Sequence, residues 1–345
     1  MDVKKIKELL DSSEYDFLRT NEHLAGKIGM LCLGGSLAYG TNLEGSGDVD
    51  LRGFAFESPK ELIGMTKSFQ QVVETETDTT IYAFNKLIGL LIENNPNTIE
   101  LLGCKPEHYF YMSDVAEELI KNRKMFLSHR CIRSFGGYAG QQLARLENAI
   151  ARDSLTQRRK EEHILISMNN AMASFEERFS DFENGSMHLF TADSKKEGMD
   201  SEIHINIDLR NYPVRDLTGI MNEFTNIAKQ YNKLNHRNHK KDEAHLNKHA
   251  MHLLRLYYMV IDILENGDIV TYREKERPFL LEVRQGKFMK EDGTYDNSFY
   301  DFRNELEKRF KYAAENTSLP EKADMGKIED FVYSVNEKVI RGEIK

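Results

Sequence analysis

A short apolar run near the amino terminus, Ile28 to Leu33, is followed by small residues and then by alternating acidic and apolar positions. An apolar run of this length predicts a buried strand. Asp48 and Asp50 alternate with Val49 and Leu51, and this alternation predicts a second strand. Because side chains two residues apart on a strand point to the same face, we expect both carboxylates at one place.

The turn after the first predicted strand consists of Gly34, Gly35 and Ser36. Glycine lets the backbone turn sharply and come close to a ligand. A short helix is predicted from Ser36, and its free N–H groups would favour an anion such as phosphate. Magnesium typically binds one or two carboxylates together with substrate phosphates. Asp48 and Asp50 therefore predict a Mg²⁺ site, with Mn²⁺ as the alternative cation.

The same patterning predicts the elements around this stretch. Helices are expected at Val3–Leu10, Ser58–Gly64 and Ala83–Asn94, and one or two strands are expected within Phe69–Thr80.

The later part of the chain has mainly helical spacing of its apolar residues, and the strongest helix is predicted from Lys240 to Asn266. Residues near 186–210 have strand character and predict a β-hairpin inserted among the helices. We therefore divide the chain into a first domain of residues 1–124 and a mainly helical domain of residues 125–345.

Composition narrows the class of protein. The chain has 345 residues, enough for two or more domains, and its three cysteines have no metal-binding spacing. No apolar run approaches the length of a membrane span, and the first residues lack the apolar core of a signal peptide. We therefore expect a cytoplasmic protein without a membrane partner. The net charge of -9 gives no global attraction to nucleic acid, although a local basic patch could still bind RNA.

The Gly35-Ser36 turn, followed about a dozen residues later by the Asp-x-Asp pair Asp48 and Asp50, resembles the motif of the DNA polymerase β superfamily of nucleotidyltransferases. The longer string GGSLAYGTN…SGDVDLRG is similar to the predicted nucleotidyltransferases of the RNA-ligase-associated branch. Gly47 alters the usual Ser-x-Asp-x-Asp run, but both carboxylates are retained.

This resemblance implies an α+β fold, in which a small mixed sheet with flanking helices forms the nucleotidyltransferase domain and a mainly helical domain follows. It implies Mg²⁺-dependent transfer of a nucleoside monophosphate from a nucleoside triphosphate, such as ATP, to a hydroxyl group, with release of pyrophosphate. Asp48 and Asp50 would bind the metal, and Gly34, Gly35 and Ser36 would bind the phosphates. The acceptor stays open among an RNA end, a protein and a small molecule; the resemblance favours RNA, and the acidic net charge opposes it.

The resemblance also implies a third carboxylate from a later strand. Glu74, Glu76 and Asp78 are the candidates, because they share strand parity. The sequence downstream of Asp78 resembles the family segment in which an Asp precedes a Tyr and a helix, so Asp78 is the first choice as catalytic and metal-binding residue and Glu76 the second. The alternative is that all three form a solvated strand face.

Basic residues at helical spacing form a second candidate set. Lys248, His252 and Arg255 share one helix face, which could bind a triphosphate, and this helix resembles a family segment with the pattern KHAxHLxRL. The alternative is a solvated basic face. Tyr138 could stack on a base, with core packing as its alternative. By strand parity Arg52 is expected on the face opposite the carboxylates, where an ion pair would brace the fold.

Two other function classes stay open. The chain could be a catalytically silent nucleotide-binding regulatory module with the same fold, and a missing third carboxylate would favour this alternative. A purely structural scaffold role ranks third among the function classes, because it would leave the paired aspartates unexplained.

Overall fold

The computed structural model describes residues 3–43, 49–154, 186–195, 200–208, 243–291 and 293–344, with single residues or pairs between 158 and 229. These residues fall into two compact units. The first unit contains residues 1–143, 247–288 and 297–345, and the second contains residues 144–246 and 289–296.

A five-stranded mixed sheet lies in the first unit. Its strands are β1 (Ile28–Leu33), β2 (Leu51–Ala55), β3 (Gln71–Glu74), β4 (Thr79–Ala83) and β5 (Tyr109–Met112). Their order across the sheet is β3-β4-β2-β1-β5, with β2 and β4 parallel and the other neighbours antiparallel. The α+β fold class is confirmed.

The start of β2 corrects one prediction. The strand begins at Leu51, so Val49 and Asp50 precede it and are not part of the sheet. Contact with the chain after β1 nevertheless extends beyond Leu51, because the backbone N–H of Gly34 donates a 2.7 Å hydrogen bond to the carbonyl of Asp50. This bond ties the chain just before β2 to the turn that follows β1.

Helices surround and follow the sheet. They are α1 (Val3–Leu10), α2 (Phe17–Thr20), α3 (Gly35–Tyr39), α4 (Pro59–Ile63), α5 (Phe84–Ile92), α6 (Pro96–Ile99), α7 (Asp114–Lys121), α8 (Arg130–Ser154), α9 (Glu243–Asn266), α10 (Arg277–Arg284), α11 (Asn297–Asn316) and α12 (Met325–Ile340). The helices predicted at 3–10, 58–64, 83–94 and 240–266 are confirmed to within a few residues, although residues 240–242 lie outside the described part of the chain. None of the described helices is long and apolar enough to cross a membrane.

Local sequence explains where several helices begin. Ser58 and Glu61 form a capping box at α4, in which each side chain bonds the other residue's backbone. The side chains of Asn95 and Ser113 accept backbone N–H groups at the starts of α6 and α7. The helix α9 ends at Asn266, directly before Gly267, as the sequence predicts.

The core of the first unit joins residues that are far apart in the chain. Buried side chains of the sheet, such as Met30 and Phe54, belong to the same hydrophobic cluster as Leu256 and Ile263 of α9 and Phe331 of α12. These compact units do not coincide with the two domains predicted to meet between residues 124 and 125. That domain division stays a prediction.

The second unit contains an antiparallel pair of strands, β6 (Ser186–Asp193) and β7 (Ser201–Asp208), in continuous register from Ser186 opposite Asp208 to Asp193 opposite Ser201. The pair matches the hairpin expected near residues 186–210.

Candidate functional site

The Gly-Gly-Ser turn lies directly against Asp50. Gly34 precedes the first turn of α3, and Gly35 has a φ of 55°, in the left-handed region that favours glycine. A Cβ atom added at Gly35 would collide with the carboxylate of Asp50. The structure therefore places the predicted phosphate-binding turn and one predicted acid, Asp50, in direct contact.

Asp78 lies beside Asp50, and the two carboxyl groups share a hydrogen bond. Burial, then this hydrogen bond, raises the pKa of Asp50 to about 7. The pKa of Asp78 is lowered, chiefly by the hydrogen bond to Asp50. Asp50 thus tends to hold the shared proton, and Asp78 tends to hold the negative charge.

The strand parity by which Glu74, Glu76 and Asp78 were grouped is wrong, although the structure does bring Asp78, the first choice among them, to Asp50. Residues 75–78 form the turn between β3 and β4, so Glu74, Glu76 and Asp78 do not share a strand face. Asp78 has a φ of 44°, which is uncommon for a residue other than glycine. Glu76 is exposed, and its backbone N–H donates to the side chain of Glu74.

Arg52 lies among the same groups. Its Nη2 atom is 3.2 Å from Oδ1 of Asp78 and 3.9 Å from Oδ1 of Asp50, and its Nη1 donates to the backbone carbonyl of Asp78. The expected ion pair exists, but its predicted place on the opposite face is wrong. Residues 50 and 52 are two apart, so strand alternation places their side chains on one face, and the expectation of opposite faces misapplied that alternation.

Lys248 brings α9 to the site. Its side chain is exposed, and its positive charge lowers the pKa values of both Asp50 and Asp78. The structure therefore places this predicted nucleotide-binding residue within electrostatic reach of both acids.

The acid pair fits a divalent cation, because a cation would take the place of the shared proton between two carboxylates. Within the described residues, no group of three His, Cys, Asp or Glu side chains could hold a metal ion. Asp48 lies outside those residues, and its predicted role stays a prediction.

Arg255 occupies a different environment. It is 5% exposed, and its Nη2 atom is 3.7 Å from Oε2 of Glu100. Its guanidinium carbon lies 3.4 Å from the centroid of the Tyr39 ring, and the hydroxyl of Tyr39 donates to the same oxygen of Glu100. Burial raises the pKa of Glu100, while Arg255 lowers it. The alternative of a solvated basic face is wrong for Arg255, which is buried against Tyr39 of α3.

His252 and Tyr138 continue from Arg255 in a line of contacts. The Nδ1 atom of His252 is 3.3 Å from Nη2 of Arg255, and the rings of His252 and Tyr138 have centroids 5.9 Å apart. Tyr138 is half-buried and packs against the main core, as its alternative interpretation expects. Its stacking on a base stays a prediction.

The sequence reasoning missed two arginines of α10 that contact the segment after α3. The Nε atom of Arg277 donates to the carbonyl of Gly40 at 2.6 Å, and Nη1 of Arg284 donates to the carbonyl of Thr41 at 2.9 Å. A signal was available, because two arginines seven residues apart lie on one face of a helix.

The mixed sheet, the glycine turn beside two acids and the helical region that follows give the fold expected of a polymerase-β-like nucleotidyltransferase. Residues 8–165 match the family model RlaP, which is described as the RNA repair pathway DNA polymerase beta family. The resemblance inferred from the sequence is confirmed over this part of the chain. No curated protein and no solved structure gives a significant match.

Proposed function

We propose that the chain is a Mg²⁺-dependent nucleotidyltransferase that moves a nucleoside monophosphate from a nucleoside triphosphate, such as ATP, to a hydroxyl acceptor. The observation that carries this proposal is the pair of carboxyl groups on Asp50 and Asp78. Asp50 directly precedes β2 and Asp78 directly precedes β4, and the two share a hydrogen bond. Asp50 lies beside Gly35, and both acids are within reach of the charge on Lys248.

Asp50, Asp78 and Asp48 would hold Mg²⁺ or Mn²⁺. When bound, the cation would neutralise phosphate charge and make the acceptor hydroxyl easier to deprotonate. The hydrogen bond between Asp50 and Asp78 supports this assignment, because two carboxyl groups in hydrogen-bonding contact need a proton or a cation between them.

The residues of the chain would orient the substrates. Gly35 and Ser36 would bind the phosphates through backbone N–H groups and the serine hydroxyl, and Lys248 would offset their charge. The acceptor oxygen forms a bond to the α-phosphorus while the bond to the β-phosphate oxygen breaks, so pyrophosphate leaves. The acceptor proton passes to the pair formed by Asp50 and Asp78. Catalysis would rest mainly on positioning and charge neutralisation.

We propose an RNA end as the acceptor. The description of the family that residues 8–165 match names an RNA repair pathway, and this supports RNA over a protein or a small molecule. The net charge of -9 requires that such binding be local and not spread over the whole surface.

The experiment is transfer of label from α-labelled triphosphates to RNA, protein and small-molecule acceptors with Mg²⁺ or Mn²⁺. We expect labelled RNA with the wild type and a loss of at least about a hundredfold with Asp50→Asn or Asp78→Asn. Glu76→Gln is the matched control, since this exposed neighbour of Asp78 is predicted to leave the rate unchanged. Transfer that survives both aspartate changes would reject the proposal.

The silent nucleotide-binding module is a second candidate, and one observation favours it. Arg52 already pairs with Asp78 and lies near Asp50, so the acids are partly neutralised without a cation. Tight binding of triphosphate without transfer to any acceptor, and with no loss in Asp78→Asn, would support this candidate.

A further inference from the structure

The segment that follows α3, Gly40 and Thr41, is hydrogen-bonded back to Ser36 at the start of that helix. Gly40 ends the helix with a φ of 69°, and the backbone N–H of Thr41 donates to the carbonyl of Ser36 at 2.9 Å. Thr41 is fully buried. Gly40 and Thr41 therefore lie at the carboxyl end of the five-residue helix whose amino end is the proposed phosphate-binding turn.

Two arginines of α10 contact this segment from one helix face. Arg277 donates to the carbonyl of Gly40, and Arg284 donates to the carbonyl of Thr41. A guanidinium has five N–H donors. Among the residues that the structure describes, Arg284 makes one side-chain hydrogen bond, so further donors of its guanidinium are available to an anion.

The charges around this segment do not balance. Burial lowers the pKa of Arg284, and the nearby charge of Arg255 lowers it further. Glu100 pairs with Arg255. Among ion pairs between described residues, none involves Arg277, Arg284 or Lys248. Like charges held together beside a half-buried surface favour a multiply charged anion.

We propose that Arg284 is a phosphate-binding residue that takes the terminal phosphates of the nucleoside triphosphate. Arg277 anchors the segment, and Arg255 stays in its buried pair with Glu100. This proposal rests on the proposed function, because it assigns the triphosphate end of the same site. It moves phosphate recognition from Arg255, which is already paired in the core, to a half-buried arginine on a helix that the sequence motif does not include.

The test measures binding of inorganic tripolyphosphate, of the nucleoside triphosphate and of the monophosphate to the full chain by calorimetry with Mg²⁺. Arg284→Gln keeps a donor for the Thr41 carbonyl but removes the charge, and Arg284→Lys keeps the charge. We expect the glutamine variant to bind tripolyphosphate about tenfold to a hundredfold more weakly, the lysine variant to retain most of the affinity, and monophosphate binding to be unchanged.

The control variant is Lys287→Gln, which removes one positive charge just beyond α10 from an exposed lysine that pairs with Glu282. It is expected to bind tripolyphosphate as the wild type does. Melting temperatures of all variants check that they fold. Equal losses for tripolyphosphate and monophosphate in Arg284→Gln would show that the arginine only holds the segment in place, and would overturn the proposal.

The two proposals fail separately. If the wild type binds tripolyphosphate through Arg284 but transfers no label to any acceptor, the proposed reaction is wrong and the anion site stands. If label transfer is normal and Arg284→Gln binds tripolyphosphate as the wild type does, the anion site is wrong and the reaction stands. A wild type that does not bind tripolyphosphate also overturns the anion site.

Discussion

Asp50 is costly to ionise in the protein without metal. Its carboxyl group is buried against Gly35 and hydrogen-bonded to Asp78, and these contacts raise its pKa from 3.8 to about 7. In the unfolded chain the same group ionises near its ordinary pKa. Between these two values, the folded protein therefore binds one more proton than the unfolded chain does.

The sign of the pH dependence follows from this difference. The stabilising contribution of Asp50 is fully present below its ordinary pKa and is lost as the pH rises toward 7, by up to about 4 kcal/mol. We expect the free energy of unfolding of the metal-free wild type to fall more between about pH 4.5 and about pH 8 than that of Asp50→Asn does. These two pH values lie near the ends of the Asp50 titration. Urea unfolding of chelator-treated protein measures this difference.

Metal removal gives the companion measurement. A cation that binds the ionised pair should restore stability at pH 8 in the wild type, with little effect in Asp50→Asn, because ligand binding to the folded state raises its stability. Parallel pH profiles of the two proteins, with or without Mg²⁺, would show that Asp50 is not the group responsible.

Two basic residues of α9 are expected to respond differently to removal. Arg255→Ala leaves Glu100 buried without its cation, and we expect it to lower the free energy of unfolding by about 3–5 kcal/mol. Lys248→Ala removes an exposed side chain, and we expect a change within about 0.5 kcal/mol but weaker triphosphate binding. Denaturant unfolding and nucleotide titration separate the two effects. Full stability of Arg255→Ala would contradict the structural role of Arg255.

The sequence predicted which residues form the site more accurately than it predicted on which face each side chain lies. The sequence identified Asp50 and Asp78 as partners, and the structure brings them together. The grouping of Glu74, Glu76 and Asp78 on one strand face failed because residues 75–78 form a turn. Arg52 was assigned to the wrong face, because residues 50 and 52 are two apart and share one face of a strand. The turn before β4 and the start of β2 at Leu51 depend on contacts with distant segments, which periodicity does not contain.

At the scale of elements, the contact between α3 and the start of β2 depends on a missing side chain. Gly35→Ala would place a Cβ against the carboxylate of Asp50 at a positive φ, so we expect a loss of stability above about 1 kcal/mol and a loss of transfer. The matched control is Gly137→Ala in α8, where an added Cβ meets no atom within 4 Å. Here a gain of about 0.5–1 kcal/mol is expected, because alanine favours a helix.

Thermal unfolding of both variants, together with label transfer, tests this pair. Gly35→Ala with wild-type stability and transfer would mean that α3 and Asp50 can separate freely, in contradiction to their close contact. A destabilised Gly137→Ala would instead indicate that this exposed position has an unrecognised packing role.

Local sequence predicted the individual short helices and strands better than it predicted how they pack together. The apolar run at Ile28–Leu33, the Ser58-Pro59 start and the hairpin near 186–210 are predicted because local propensity and capping specify them. The parallel pairing of β2 with β4 and the approach of α10 to Gly40 are long-range choices. These choices depend on how faces pack, and a single sequence carries only weak signals of them.

At the scale of the whole molecule, the first unit is assembled from three separated segments of the chain. Apolar residues of α9 and α12 share one core with the sheet. The Phe84 and Phe331 rings have centroids 6.0 Å apart, and the Asn336 side chain donates to that of Asn85 at 3.2 Å. Composition shifts near residue 125 could not reveal this arrangement, because the helices that complete the core resemble those of an independent helical domain.

This architecture predicts the behaviour of a fragment that ends at the expected domain boundary. Residues 1–124 alone would expose the apolar surface that α9 and α12 cover in the full chain, and removal of that burial costs roughly 25 cal/mol for each Å² exposed. We expect the fragment to unfold without a cooperative transition in urea, whereas the full chain unfolds cooperatively. In the full chain, Phe331→Ala is the matched single-residue test, with an expected loss of about 3–5 kcal/mol because Phe331 is 7% exposed. A fragment with dispersed amide resonances and a sharp transition would instead support the division at residue 124, and α9 and α12 would then be dispensable for the core.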